Sequence, residues 1–149
     1  MRVYLAGPLF TEAERAWLDD LAKELRGHGV ECFVPHETFA EAVPGSAAEI
    51  YRKDREGMQS CDVLLAWLDG QGVDDGTATE IGIFAEWVLR GEKTAVIGYC
   101  TDLRQLRRRT LAEHAGLNLF TAGAVMAAGT LVWSREEAVQ EVLRLASKG

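Results

Sequence analysis

The sequence has few of the residues from which proteins build disulfide frameworks and metal sites. Only three cysteines and three histidines occur among 149 residues, and they are scattered along the chain as Cys32, Cys61, Cys100, His28, His36 and His114. No CxxC pair or other ligand spacing is present, so neither a disulfide framework nor a metal site is predicted. The cysteines are expected to be buried, reduced thiols.

Long apolar runs are also absent. No stretch approaches the roughly 18 apolar residues that a membrane-spanning helix needs. The apolar run within residues 1–7 is too short for a signal peptide. We therefore expect a cytoplasmic protein with no membrane partner. Because GxGxxG and P-loop signatures are missing too, no nucleotide cofactor is predicted.

Positive charge is in short supply. The chain has 16 basic and 23 acidic residues, a net charge of −7, which opposes the phosphate attraction that nucleic-acid binding depends on. A nucleic-acid polymer is therefore not an expected partner. The content of 48% hydrophobic and 26% charged residues is typical of globular proteins. Residues 1–149 are expected to form a single domain with its own core.

What the sequence does contain is an alternation of strand-like and helix-like segments. Short apolar runs predict five strands at residues 2–6, 30–34, 62–68, 93–99 and 130–133. Three of the intervening helices begin at capping-box patterns, which are Thr11–Glu14, Ser46–Glu49 and Ser134–Glu137. Such alternation predicts an α/β fold with a doubly wound, five-stranded parallel sheet and helices on both faces.

The stretch from Val73 to Gly82 contains three carboxylates beside a predicted helix start. Asp74, Asp75 and Glu80 follow a buried strand, where open α/β sheets usually place their ligand crevice. One interpretation makes Glu80 the chemical centre, with Asp75 capping the helix and Asp74 free to contact a ligand. The alternative is that the aspartates only cap the helix and that Glu80 is a solvated side chain.

The helix that follows is predicted to have two apolar faces. The stripe that suits a core consists of Ala78, Ile81, Gly82, Ala85, Val88 and Leu89. Glu80 lies on a different side with Phe84 and Trp87, and a lone domain would not normally expose two large aromatic side chains together. This second face predicts either a subunit interface near Glu80 or a packed neighbouring loop.

Two other charged features each allow two interpretations. Asp54 lies in a predicted helix among basic neighbours, as either a site residue or a surface charge. Four arginines occur in a loop or short helix at residues 101–116, namely Arg104, Arg107, Arg108 and Arg109. They would form either a phosphate-binding patch or salt bridges to this acidic protein.

Several of these residues together resemble the nucleoside 2-deoxyribosyltransferases, small flavodoxin-like enzymes that move deoxyribose from one nucleobase to another. The resemblance runs nearly end to end. It is carried by YLAGPLF at residues 4–10, Asp54 eight residues before Asp62, Asp74 six residues before Glu80 with Gly82 following, and Asn118-Leu119-Phe120.

The resemblance implies catalytic roles for four residues. Glu80 would attack the anomeric carbon as nucleophile, and the Tyr4 hydroxyl would orient its carboxylate. Asp54 and Asp74 would face the base, and one of them, protonated, would donate to the leaving nitrogen. The implied partners are deoxyribonucleosides and free nucleobases, and no cofactor is implied.

The resemblance also implies substrate-binding residues and an assembly. Asn118 would bind the sugar 5′-hydroxyl in the site of a neighbouring subunit, so a homo-oligomer is implied. Gly7, Phe10 and Phe120 complete the substrate-binding candidates. Phe10 could equally be an ordinary core residue, and Phe120 stands where the family often has methionine.

The chemistry of N-glycosidic cleavage calls for these residue types. Cleavage develops oxocarbenium character at the anomeric carbon, and a nearby carboxylate stabilises this charge and then traps it as an ester. A nucleophile must be ionised while an acid holds a proton, so the site has to separate their pKa values. A hydrogen bond from Tyr4 would favour ionised Glu80, and repulsion would raise the pKa of Asp54 or Asp74. Which aspartate is the acid is open on the sequence alone.

Two other functions fit parts of the sequence. If the arginines at residues 104–109 bind a 5′-phosphate, the substrate would be a 2-deoxynucleoside 5′-monophosphate and the reaction hydrolysis of its N-glycosidic bond. The third possibility is a non-catalytic flavodoxin-like module, with Asp62 or Asp74 as a phosphoacceptor. Gly7-Pro8 stands where such a receiver normally has acidic residues.

Overall fold

A computed structural model describes residues 1–38, 46–108 and 116–148 of the chain. Its strands are β1 (Arg2–Ala6), β2 (Glu31–Phe33), β3 (Val63–Trp67), β4 (Ala95–Tyr99) and β5 (Gly129–Val132). All neighbouring pairs are parallel, and the strand order is β2-β1-β3-β4-β5. The predicted five-stranded parallel sheet is confirmed, and this order is that of flavodoxin-like folds.

Helices cover both faces of this sheet. They are α1 (Glu12–Gly27), α2 (Ala47–Gln59), α3 (Asp75–Leu89), the short α4 (Leu103–Arg108), α5 (Leu119–Ala128) and α6 (Arg135–Ala146). Apolar side chains of α2, α3 and α5 pack on one face, and those of α1 and α6 pack on the other. Side chains alternate along each strand, so Tyr4 faces the first group of helices while its neighbours Val3 and Leu5 face the second.

The predicted capping boxes form to different extents. At α1 the box is complete, because Thr11 and Glu14 exchange both hydrogen bonds. At α6 the Ser134 hydroxyl accepts from the Glu137 amide, but the Glu137 carboxylate accepts from the backbone of Trp133 instead of Ser134. Each predicted cap residue nevertheless begins its helix.

The prediction for the two faces of α3 was partly wrong. Phe84 is fully buried and packs beside Trp87 with ring centroids 5.8 Å apart. Leu89, assigned to the core stripe, is 62% exposed. Phe84 belongs to the buried cluster that α2, α3 and α5 form together, and Arg55 of α2 lies over the Trp87 ring, so elements of the same chain cover both aromatic residues. Phe84 therefore gives no indication of a subunit interface.

The structure also bears on the predictions for the cysteines and for membrane-spanning helices. The cysteines are unpaired; Cys61 and Cys100 are buried, and Cys32 is partly exposed. Within the described ranges, no helix combines the length and apolar character needed to cross a membrane. Arg109 and His114 lie outside the described residues.

Candidate active site

A cavity of about 710 Å³ opens at the carboxyl ends of β1 and β3. This is where the chain order of a 2-1-3-4-5 sheet reverses, and the loops that leave the two strands diverge there. The described residues that line it are Gly7, Leu9, Phe10, Arg15, Pro35, His36, Ile50, Asp54, Asp74, Gly76, Thr77 and Glu80. Five of the eight predicted site residues are among them.

Glu80 and Tyr4 meet at the base of this cavity. The Tyr4 hydroxyl donates a hydrogen bond of 2.5 Å to Glu80 Oε1, across 76 residues of sequence. Tyr4 is fully buried in β1, while Glu80 projects from the second turn of α3. This bond occupies one carboxylate oxygen and leaves Oε2 available to a ligand. Glu80 is therefore not the solvated side chain of the alternative interpretation.

The surroundings of Glu80 oppose its ionisation. Its pKa is raised from 4.5 to about 8 as the net result of burial, which is the largest cause, the negative charges of Asp54 and Asp74, which raise it further, and the Tyr4 hydrogen bond, which lowers it. Burial and the negative charges of Glu80 and Asp54 hold the pKa of Tyr4 far above its ordinary value. Tyr4 thus acts as a neutral hydrogen-bond donor and not as a base.

This raised pKa predicts how stability should vary with pH. The carboxylate is protonated in both the folded and unfolded states below pH 4.5, but between 4.5 and about 8 only the unfolded state readily ionises. Ionisation of the unfolded state therefore lowers the free energy of unfolding progressively as the pH rises through that window. The loss is about 1.4 kcal/mol for each pH unit within it.

Glu80→Gln is expected to remove this penalty. Its melting temperature should match that of the wild type near pH 4, exceed it increasingly up to pH 8, and then keep a constant advantage. Thermal unfolding of both proteins across this range measures the difference. An advantage that is independent of pH would show that Glu80 is not titrating in a buried site.

Asp54 reaches the same cavity from α2. Its carboxyl is partly buried, and its Oδ1 is sealed from solvent without a hydrogen-bond partner among the described residues. Burial raises its pKa, and Lys53 partly offsets this effect. An unpartnered buried carboxylate is costly, whereas a protonated carboxyl is less so. Because it is partly buried, Asp54 is better suited to hold a proton for a ligand than an exposed carboxylate would be.

Asp74 lines the cavity and is also the N-cap of α3, the role that was predicted for Asp75. Its Oδ2 accepts hydrogen bonds from the Thr77 amide at 2.9 Å and the Thr77 hydroxyl at 3.0 Å. Asp74 has non-helical backbone angles (φ −52°, ψ 136°) and is the N-cap, while Asp75 is already helical. The expectation that Asp75 caps this helix was wrong. One oxygen of Asp74 serves the helix, and Oδ1 remains for a ligand.

The loop after β1 forms another wall. Gly7 lies close to Trp67, since a Cβ at this position would be 3.2 Å from the Trp67 Cβ. Phe10 is 74% exposed and lines the cavity, so the alternative of an ordinary core phenylalanine was wrong. Arg15 Nη1 donates to the carbonyls of Leu9 and Phe10, both at 3.0 Å, and so anchors this loop to α1.

Asn118 and Phe120 do not line the cavity of their own chain. Asn118 is the N-cap of α5, and its Oδ1 accepts from the amides of Phe120 and Thr121. The Phe120 ring is 90% exposed.

Arg104 and Arg107 of the predicted arginine patch do not line this cavity. Arg104 forms an ion pair with Asp102, which agrees with the salt-bridge interpretation for that residue. Asp102 also accepts from the Gly70 amide, so the pair joins α4 to the loop after β3.

Sequence reasoning missed several lining residues. Thr77 could have been found, because it stands three residues after an N-cap aspartate, the usual position of a capping partner. Two others come from helix α1 and the turn after β2: Arg15, and His36, whose Nε2 lies 2.7 Å from Asp19 Oδ1. Their sequences carry no local sign that they reach the cavity.

Comparison with known proteins bears on this site. The family model for nucleoside 2-deoxyribosyltransferases matches residues 3–140. No curated protein matches the sequence. A crystal structure of a conserved protein from Enterococcus faecalis V583 has 28% sequence identity and a TM-score of 0.80, with 97% of this chain and 98% of that chain covered.

Two more distant structures share the fold. The 2-deoxyribosyltransferase of Leishmania mexicana has 24% identity and a TM-score of 0.64, over 92% of this chain and 93% of that chain. The 2-deoxyribosyltransferase of Bacillus psychrosaccharolyticus has 24% identity and a TM-score of 0.55, over 69% and 74%. The family match spans nearly the whole sequence, including the residues that form the cavity. The chain therefore belongs to the nucleoside 2-deoxyribosyltransferase family.

Proposed function

We propose that this protein transfers 2-deoxyribose between nucleobases through a covalent deoxyribosyl ester of Glu80, with retention of configuration. The observation that carries the proposal is the Tyr4–Glu80 hydrogen bond of 2.5 Å inside a cavity that Asp54 also lines. It places an oriented carboxylate beside a second carboxyl whose pKa is raised by burial.

In the first half-reaction, Glu80 Oε2 attacks the anomeric carbon while the carbon–nitrogen bond to the base breaks. The bonding electrons leave with the base nitrogen, which takes a proton from Asp54. Burial raises the pKa values of both Glu80 and Asp54, which favours a proton shared between the two carboxyls. The Tyr4 hydrogen bond favours the ionised form of Glu80, so Glu80 attacks from the state in which this proton lies on Asp54. That proton is the one the departing base requires.

In the second half-reaction, the nitrogen of an incoming base attacks the same carbon and the ester bond breaks. Asp54 takes the proton that the incoming base loses, and Glu80 is released as a carboxylate. Each step inverts the anomeric carbon, so the pair of steps retains its configuration.

The other lining residues position the base. Asp74, with Oδ2 held by Thr77, offers Oδ1 as an acceptor for N–H groups of the base. The exposed Phe10 ring supplies a flat apolar wall, against which a purine or pyrimidine can stack. Gly7 lets the loop after β1 pass close to Trp67 where that loop lines the cavity.

Base exchange tests this function directly. Incubation with deoxyinosine and free adenine should yield deoxyadenosine and hypoxanthine in equal amounts, measured by chromatography. Release of free deoxyribose without exchange would favour the hydrolase. A preference for the 5′-monophosphate over the nucleoside would do the same, although Arg104 is engaged with Asp102.

We further propose that the working site is shared between two copies of the chain. Helix α5 carries no charged residue from Leu119 to Ala128, and it exposes apolar side chains of Leu119 (69%), Phe120 (90%) and Met126 (48%). Such a surface suits a subunit contact. Asn118 begins this helix and lies at the sheet edge that holds the cavity, so a neighbouring copy could present it to the sugar.

Subunit complementation should reveal this sharing. Glu80→Gln and Asn118→Ala are each expected to have little activity alone. Mixed and allowed to exchange subunits, they should recover activity, because a cavity with Glu80 can then receive Asn118 from the other chain. Size-exclusion chromatography of the mixture confirms that exchange occurred. Hetero-oligomers that stay inactive would place Asn118 outside the partner's site.

A further inference from the structure

We propose that Phe33 is a positioning residue for Tyr4 and that Gly57 preserves the space that Phe33 occupies. The inference rests on the proposed function, since it concerns how the Tyr4–Glu80 pair is held. Four elements contribute to it: Gly57 from α2, Phe33 from β2, Tyr4 from β1 and Glu80 from α3.

The strand register brings the two aromatic rings together. Tyr4 and Phe33 are direct partners in the β1–β2 ladder, so their side chains project from the same face of the sheet. The rings stack with centroids 5.3 Å apart and planes inclined by 11°. On the other side, the register partner of Tyr4 is Leu64 of β3. The fully buried Tyr4 ring is thus confined between neighbours while its hydroxyl meets Glu80.

The ring of Phe33 explains why residue 57 is a glycine. A Cβ at position 57 would lie 2.4, 2.5 and 2.9 Å from the Cζ, Cε1 and Cε2 atoms of Phe33, distances that require a shift of the ring or the helix. The backbone gives no other reason for glycine there, because Gly57 lies in the helical span of α2 and alanine is a far better helix former. Its absent side chain keeps the Phe33 ring against Tyr4.

Positioning and simple packing predict different outcomes. If Phe33 only fills space, its replacement lowers stability and leaves the titration of Glu80 unchanged. If it holds Tyr4, replacement weakens the hydrogen bond that lowers the Glu80 pKa. The other groups that influence this pair are Asp54, Asp74 and, at Tyr4, Cys61, and all of them are kept in the variants below.

The titration of Glu80 can be measured without reference to catalysis. For each protein, the melting temperature is compared with and without Glu80→Gln across a pH series. The pH midpoint of the difference lies between the unfolded-state and folded-state pKa values of Glu80, so it rises when the folded-state pKa rises. Phe33→Leu is expected to move this midpoint to higher pH, in the direction that Tyr4→Phe does. Phe33→Met, which fills more of the same volume, is measured alongside in case the leucine variant folds poorly.

Kinetics should follow the same pattern. Phe33→Leu is expected to lower kcat for base exchange by up to roughly 10²-fold through a misplaced hydroxyl, with little effect on KM. In a Tyr4→Phe background it should cause no further shift of the midpoint, because the hydroxyl it positions is gone. An unchanged midpoint, or an equal shift without the Tyr4 hydroxyl, would overturn the proposal.

Gly57→Ala provides an independent test from the other side of the ring. Alone, it should shift the Glu80 midpoint upward; combined with Phe33→Leu, it should be no worse than Phe33→Leu, because leucine lacks the ring atoms that clash. The control is Val142→Ala, buried on the opposite face of the sheet, which should lower the melting temperature without moving the midpoint. If the midpoints shift but the wild type exchanges no bases, the positioning role stands and the proposed function fails.

Discussion

Glu80→Gln is expected to reduce base exchange by at least roughly 10³-fold, the scale seen when the nucleophile of a two-step transfer is removed. Glutamine preserves the side-chain shape and keeps an oxygen that can accept the Tyr4 hydrogen bond. It cannot form the ester, because its amide is not a nucleophile toward the anomeric carbon. The loss should therefore be chemical, with the fold and the cavity retained.

The matched control for this variant is Glu86→Gln on the same helix. Glu86 is exposed and pairs with Arg90 one turn further along α3, so its replacement should leave exchange unchanged. Mass spectrometry of acid-quenched enzyme should find one added deoxyribosyl group on the wild type and none on Glu80→Gln. An active Glu80→Gln protein would refute the covalent mechanism, whatever its products.

Asp54→Asn is expected to lower the rate of base release from ordinary deoxynucleosides by about 10²- to 10⁴-fold, the range of general-acid catalysis. Asparagine has a similar size and polarity but no proton to give to the leaving nitrogen. The deficit should largely vanish with 7-methyl-2′-deoxyguanosine, because its base is already cationic and leaves without protonation. Stopped-flow release of the base measures both substrates.

Glu56→Gln is the control for Asp54→Asn, since Glu56 lies on the same helix, is exposed and pairs with Arg52. Asp74→Asn separates the aspartates further. It should weaken base binding for both substrates alike, because Asp74 is assigned to orientation and not to protonation. Rescue of Asp74→Asn, and not Asp54→Asn, by the methylated substrate would reverse the two assignments.

The strands and their order along the chain could be predicted because their apolar runs are short and bounded by turn residues. The sequence was less informative where two neighbouring residues could each fill the same structural role. Asp74 and Asp75 are equally good cap residues in sequence, and only the non-helical backbone of Asp74 identifies it as the N-cap. Similarly, helical spacing grouped Phe84 with Glu80, but the packing of α2, α3 and α5 into one cluster decided that Phe84 is buried.

The sequence by itself determined the alternation that produces a parallel sheet, and with it the edge at which Tyr4, Asp54 and Glu80 could meet. These are consequences of local periodicity and of the connections that parallel strands require. Only the tertiary structure decided how the three side chains interact. The 2.5 Å bond from Tyr4 to Glu80, and an Asp54 Oδ1 that has no partner in the described part of the chain, depend on burial and on contacts between distant elements. Those quantities set the energy of each protonation state, and no local pattern encodes them.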